Sequence, residues 1–507
     1  MRPHARLYSD EVQLVRSLFL RSFGAVSLVA FTSMRRQILG LVGSKGIAPV
    51  GERLATLEGQ LGPRRFMHVP TALWFDASDA ALIRVCRTGQ AASTLLVMNV
   101  APRWSCATIW GSYLSLVSAG SEFFAYQWDS LLLESAAHAA LLSPPGLLPR
   151  RSRSVPPPAR LAVLAVRALL FRLYLSSGAS KLTSGDLTWR DLTACKHYFE
   201  TQPLPTRLGW RAHALPNPAL KAATAATLFI ELAVPWLFFA PRKLRGLALG
   251  GVTLLQALIA ATGNYGFFNL LTGALHLWLL DDEMLRGSRP SKVARHRGAR
   301  LSRVRSLFEN GAALGLGALM LDVVVARSRF AHKVPRVISR ALYRLRSLRL
   351  ASPYGLFSVM TVKRPEIALE ASNDGAFWTE YRFRYKPDAT DCAPKRAALH
   401  MPRLDWQLWF AALGSPPAWF MSMLVRLLEA SPQVLSLFEA DPMGGKPPRY
   451  VRALLYDYEM TDAPTRASTK QWWRRTRVGV FFPPVTLSPP QDEWVQVGWP
   501  WQPTARA

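Results

Sequence analysis

SGASKLTSGDLTWRDLTACKHYFETQPLPTRLGW (Ser177–Trp210) lies between two hydrophobic runs and decides how the chain around it is read. Lys181, Trp189, Arg190, Asp191, His197, Tyr198, Glu200 and Gln202, with Pro203 and Pro205, make it too polar to enter lipid. The flanking runs, at about 160–178 and 219–240, approach the roughly 20 residues that cross a bilayer. The segment therefore reads as a connector outside the membrane, spanning 179–218. A connector crowded with aromatic and ionisable side chains, and braced by prolines, is suited to holding a surface. The residues expected to form that surface are Trp189, Arg190, Asp191, His197, Tyr198, Glu200, Gln202 and Pro203.

Outward from this connector, apolar runs repeat. The chain has 507 residues, half of them hydrophobic and 19% charged. Spans are predicted at about 18–42, 79–100, 104–120, 123–142, 160–178, 219–240, 245–262, 264–280 and 309–326, nine in all. Arg84 and Arg87 make the second the least apolar. The connectors at 143–160, 241–245 and 281–308 are rich in Arg and Lys. With a cytosolic N-terminus all three fall in the cytosol, as the positive-inside rule requires. The 179–218 connector and everything after residue 327 then lie on the far side. The net charge of +29 is explained by these basic loops and by anionic headgroups, so no nucleic-acid partner is expected. Membrane lipids are.

Three domains follow: a transmembrane helical domain at 1–326, a basic amphipathic surface helix at 327–350 and a β-rich extracytosolic domain at 351–507. In the last, YGLFSVMTV, EIALEAS and FWTEYRFRY read as strands, with a turn at Ser372-Asn-Asp-Gly. DWQLWFAAL and AWFMSMLVRLLEA read as inserted short helices, and YVRALLYDYEM and GVFFPPVTL as returning strands. The fold class is a membrane α-helical bundle of about nine spans followed by this β-rich domain.

Ionisable groups within spans are functional suspects by default. Gln127, Ser130, Glu134 and His138 recur on one helical face, with Asp129 beside them. Arg172 and Glu231 come from other spans. The plainest reading is that Glu134 or Asp129 pairs with Arg172 to hold spans together. Neither a G-x-S-x-G nor an H-E-x-x-H motif is present. No metal and no cofactor are expected. Of the four cysteines, Cys86 and Cys106 read as small buried hydrophobes, and pairing of Cys195 with Cys392 stays open. The tryptophans and tyrosine Trp189, Tyr198, Trp210, Trp406, Trp409, Trp472 and Trp473 divide between an exposed surface and core packing.

The wording of several blocks resembles one family, the lipase maturation factors. K-L-(x)-G-D-x-x-W-R-D-L followed by H-Y-x-E-T-Q-P-x-P is similar to the connector here. LFLRSFGAVSLVAFTSMRRQILGLVGSKGIAP, SEFFAYQWDSLLLE, EIALEASNDGAFWTEYRFRYKP, PRLDWQLWFAAL, KPPRYVRALLYDYEMT and FFPPVTL resemble further family blocks, in the family's order. Lys196, Phe199, Met401 and Val480-Phe481 depart from it. The resemblance implies a multi-span protein of the endoplasmic reticulum membrane, or of the inner membrane in a bacterium. It implies a non-enzymatic role in folding and export of a secreted lipase-like client, held from the lumenal side. A fainter resemblance links SGASKLTSGDLTW to vitamin K-dependent γ-carboxylases. It implies an alternative, an intramembrane quinol-dependent enzyme with Lys181 as base and Asp129 where the family has a histidine.

Overall fold

Long apolar runs without interior proline form helices through the first two thirds of the chain. The computed structural model describes residues 12–148, 157–286, 299–326, 342 and 344–487. Among the helices are α1 (Gln13–Arg35), α2 (Asp79–Val97), α3 (Pro102–Ala119), α4 (Gln127–Leu142), α5 (Arg160–Thr183), α6 (Ala194–Thr201), α7 (Asn217–Leu232), α8 (Arg242–Thr262), α9 (Phe268–His276) and α10 (Ala299–Val325). A helix falls at each of the nine predicted spans, but the count of nine does not follow. Among the described residues only Gln13–Arg35, Arg160–Thr183, Asn217–Phe239, Arg242–Thr262 and Val304–Val325 are long and apolar enough to cross a membrane. The others fall short for local reasons. Arg84 and Arg87 dilute α2, and Arg103 with four serines dilutes α3, while α4 has 16 residues and α9 has 9. α1 also ends at Arg35, short of residue 42.

Polar contacts sort the helix termini into two ends. At one end the backbone N–H groups of Leu14 and Val15 donate to Asp282. Arg242 and Arg245 both reach Asp281 at 2.8 Å. There too Arg103 donates to the Ser143 carbonyl and pairs with Glu309, and Arg305 donates to the Pro157 carbonyl. At the opposite end the 184–216 connector meets the C-terminal region. The basic stretches at 149–156 and 287–298, and residues 327–341 and 343 of the expected surface helix, lie outside the described residues.

The C-terminal region is built on an antiparallel sheet of order β2-β1-β5-β6, from β1 (Arg364–Ser372), β2 (Thr379–Glu380), β5 (Tyr450–Met460) and β6 (Trp473–Val485). A second, two-stranded sheet joins β3 (Arg382–Phe383) to β4 (Phe438–Ala440). Leu369 pairs with Ala453 in the central register. The longest helices of the region are α11 (Arg403–Ala412) and α12 (Ala418–Leu428). α12 buries Phe420, Met423, Leu424 and Leu427, one face at helical spacing. The predicted strand at 354–362 is absent, because side chains of α4, α5 and the connector take its backbone groups. Gly355 N–H donates to Gln127, Met360 N–H donates to Asp186, the Leu356 carbonyl accepts from Lys181 and the Phe357 carbonyl accepts from Trp189. No strand ladder can form on a backbone already engaged this way.

Candidate functional site

The connector is bonded into the C-terminal region along most of its length. Arg364, at the start of β1, is fully buried. Its Nη1 donates to the carbonyls of Glu200 at 2.6 Å and Gln202 at 2.5 Å, and its Nη2 to that of Pro203 at 2.9 Å. Glu366 forms ion pairs with both Arg364 and Lys386 at 2.6 Å. Gln202, only 1% exposed, bonds the Thr262 carbonyl through Nε2 and accepts from Tyr265 through Oε1. Tyr198 shares a 2.6 Å hydrogen bond with Tyr265, and Glu200 accepts the Met460 N–H at 2.7 Å. Trp189 is buried and donates to the Phe357 carbonyl. His197 is half-buried, and burial with Lys196 beside it pushes its imidazole below the ordinary value.

The eight connector residues thus do not share one open face. Trp189, Gln202 and Pro203 are buried, His197, Tyr198 and Glu200 are partly covered, and Arg190 and Asp191 are exposed. The aromatic surface is also smaller than its sequence suggests. Trp210, Trp406, Trp409 and Trp473 are all buried, and Trp472 is half-buried against Trp210 at 5.2 Å. Lys196, from the same connector, adds a third exposed charge beside Arg190 and Asp191 in sequence.

The polar groups within the bundle also point toward the C-terminal region. Asp129 and Arg403 form a bidentate pair, with Nη2 to Oδ1 at 2.6 Å and Nη1 to Oδ2 at 2.8 Å. Tyr113 donates to the same carboxylate at 2.5 Å. Glu134 pairs with Arg172 and also accepts from the Tyr354 hydroxyl and the Ser352 N–H. Gln127 accepts from Gly355 N–H. His138 is fully buried further along α4, and neither ring nitrogen has a partner among the described residues. Lys181 donates to Glu231 at 2.7 Å, to the Leu356 carbonyl at 3.0 Å and to the Ser177 carbonyl at 3.3 Å. Lys181 and Asp129, the two residues of the enzyme alternative, therefore sit in separate ion pairs.

Residues 14–287 match the lipase maturation factor transmembrane domain, and residues 350–483 match the lipase maturation factor C-terminal domain. The chain belongs to the lipase maturation factor family. It is 36% identical to lipase maturation factor 2 of Gallus gallus, over 94% of this chain and 82% of that protein. It is 34% identical to lipase maturation factor 2 of Homo sapiens, over 95% and 84%. Lipase maturation factor 1 of Homo sapiens is 31% identical, over 98% and 92%. No solved structure matches. Family membership and the apolar helices together make this a multi-pass membrane protein.

Sequence reasoning missed the residues that hold this family member's two parts together. Arg403 and Arg364 are foremost. Gln37 bonds the Met401 carbonyl at 2.7 Å and accepts from Arg403 N–H at 2.9 Å. Asn264 accepts from Ala397 N–H and donates to the Lys395 carbonyl. A signal did exist for Arg403, since a carboxylate at Asp129 inside a span demands a cation. Near this seam, burial pushes the Asp405 carboxyl up to about 6 against the pull of two backbone N–H bonds. Burial, with Arg36, Arg403 and Arg384 nearby, pushes the His400 imidazole down to about 4. All four cysteines are free.

Proposed function

We propose that the connector and the C-terminal region act as one rigid extracytosolic platform on which a secreted, lipase-like client is matured. The observation that carries this reading is the Arg364 clamp, which takes three connector carbonyls and fixes the connector to the sheet. A segment held this firmly presents Arg190, Asp191 and Lys196 in a defined arrangement, which lowers the ordering cost of binding. The transmembrane domain at 1–326, crossing about nine times, anchors the platform, and the 351–507 region forms its outer part. The endoplasmic reticulum membrane is the expected setting in a eukaryote, with the C-terminal region lumenal. Orientation is supported by Arg242, Arg245 and Asp281 gathering at the end opposite the connector.

The test separates binding from stability. Asp191→Ala and Arg190→Ala are expected to change stability by no more than about 0.5 kcal/mol, because both side chains are exposed. Both should lower the yield of active client secreted from cells lacking the endogenous factor. Lys196→Cys in sealed membranes should react with an impermeant maleimide from the extracytosolic side. Full client activity with both alanines, or labelling of Lys196→Cys only from the cytosol, contradicts the proposal.

The enzyme alternative meets a specific obstacle at Lys181, whose three donors are all engaged. A base must release its proton, and a guanidinium does not. Lys181→Arg is therefore expected to keep most client maturation and near-normal abundance, measured against Lys181→Ala, which leaves Glu231 without its cation. An abundant but inactive Lys181→Arg protein would favour the enzyme.

A further inference from the structure

Where the helices meet the C-terminal region lies a cavity of about 390 Å³, within the size range of small-molecule sites. Its walls come from the starts of α4 and α9, from α5, α7 and α8, the connector, residues 355–359 and α11. Most of that wall is aromatic or aliphatic. Two of its apolar side chains, Val359 and Phe410, are 65% and 45% exposed, so the cavity's margin is itself apolar. On the outward sides of the neighbouring helices, Phe229, Leu254 and Leu258 are exposed. Those side chains face the bilayer if α7 and α8 span it, and an occupant then has an apolar route to the cavity.

The polar groups on the wall define the other half of the ligand. Lys181 and Glu231 neutralise each other, so the wall calls for no net charge. Tyr174 and Gln256 bond each other, as do Tyr198 and Tyr265. Three donors are left over. The indole N–H groups of Trp128 and Trp406, residues 4% and 3% exposed, are buried without an acceptor among the described residues. Their rings touch, with centroids 4.8 Å apart. Gln127 uses its carbonyl oxygen on Gly355, and its amide nitrogen has no acceptor among the described residues. An indole can only donate, and buried donors in a folded chain ordinarily find partners. All three cluster at the start of α4 and on α11.

We infer that the cavity is a lipid site for an acyl chain whose polar end accepts hydrogen bonds, with the carbonyl held by Trp128, Trp406 and Gln127 and the chain lying along α5 and α8. The shared chemistry is the acyl carbonyl. Its source is either the ester of a membrane glycerolipid or the protonated, uncharged carboxyl of a free fatty acid. This site is independent of client binding and is tested without a client.

The full chain is purified in detergent and irradiated with palmitic acid bearing a mid-chain diazirine. A diazirine phosphatidylcholine and a diazirine alkane of matching length run in parallel. The expected result is cross-linking to Leu173, Leu255 or Ile259 by at least one acyl probe, and the stronger of the two identifies the source. Trp128→Phe combined with Trp406→Phe keeps aromatic bulk but removes two donors. It should weaken acyl-probe labelling about thirtyfold, the worth of two ordinary hydrogen bonds, and leave alkane labelling unchanged. Should that pair of changes unfold the chain, competition by unlabelled palmitate against unlabelled alkane on the unaltered protein decides instead, with palmitate expected to compete far better. Cross-links confined to Phe229, Leu254 and Leu258, equal competition by the alkane, or acyl labelling indifferent to the tryptophan changes would overturn the inference.

Discussion

Arg403→Met is expected to destabilise the folded protein by about 3–5 kcal/mol and to deplete it from membranes, because it leaves Asp129 ionised and uncompensated in a fully buried site. Arg403 is 1% exposed and Asp129 is 0% exposed. Both carboxylate oxygens accept from the guanidinium, which also donates to the Phe123 carbonyl at 2.6 Å and lies 4.8 Å from the Phe124 ring. Asp129→Leu alone should be comparably harmful, since it strands the arginine. The double variant Asp129→Leu/Arg403→Met should regain much of the loss, because a packed apolar pair carries no desolvation cost. Thermal unfolding in detergent, with steady-state abundance alongside, measures all three. Additive single losses in the double variant would mean that the two groups do not act as a pair.

Arg364→Leu is expected to cost a similar 3–5 kcal/mol, and its effect should be localised. Three connector carbonyls lose their donor, at roughly 1–3 kcal/mol for each group left buried and unpaired. Among the described residues Glu366 then keeps Lys386 as its ion-pair partner. Hydrogen exchange should rise across residues 199–206 and in β1 before it rises in α1 or α5. Arg364→Lys should be nearly as damaging, since one ammonium cannot reproduce a planar fork reaching three oxygens. A lysine variant with normal exchange in the connector would show that the clamp is not what fixes it.

These two arginines mark the limit of what the sequence made legible. Arg403 stands in a block, PRLDWQLWFAAL, that resembles family wording, and Arg364 stands two residues before another, EIALEAS. Yet an arginine beside a proline has no periodicity to betray its burial. Its partner, a carboxylate or a run of carbonyls, stands far away in the chain, at Asp129 or Glu200–Pro203. Trp189 and Gln202 misled for the mirror-image reason. In a polar connector they look like surface, but residues 357–360 cover Trp189, and Thr262 and Tyr265 take the Gln202 side chain.

The sequence by itself determined the broad class of fold, the family, the position of the apolar helices, β1, β5, α11 and α12, and the second half of β6. Each of these is a local property: hydrophobic period, span length, turn residues, or wording along a continuous block. Only the tertiary structure decided which charges pair and which connector residues stay exposed. It also turned 354–362 from an expected strand into a seam whose backbone bonds Gln127, Lys181, Asp186 and Trp189. Those outcomes depend on contacts between residues distant in the chain. A buried polar group must find its partner wherever packing brings one, and no local pattern records where that is.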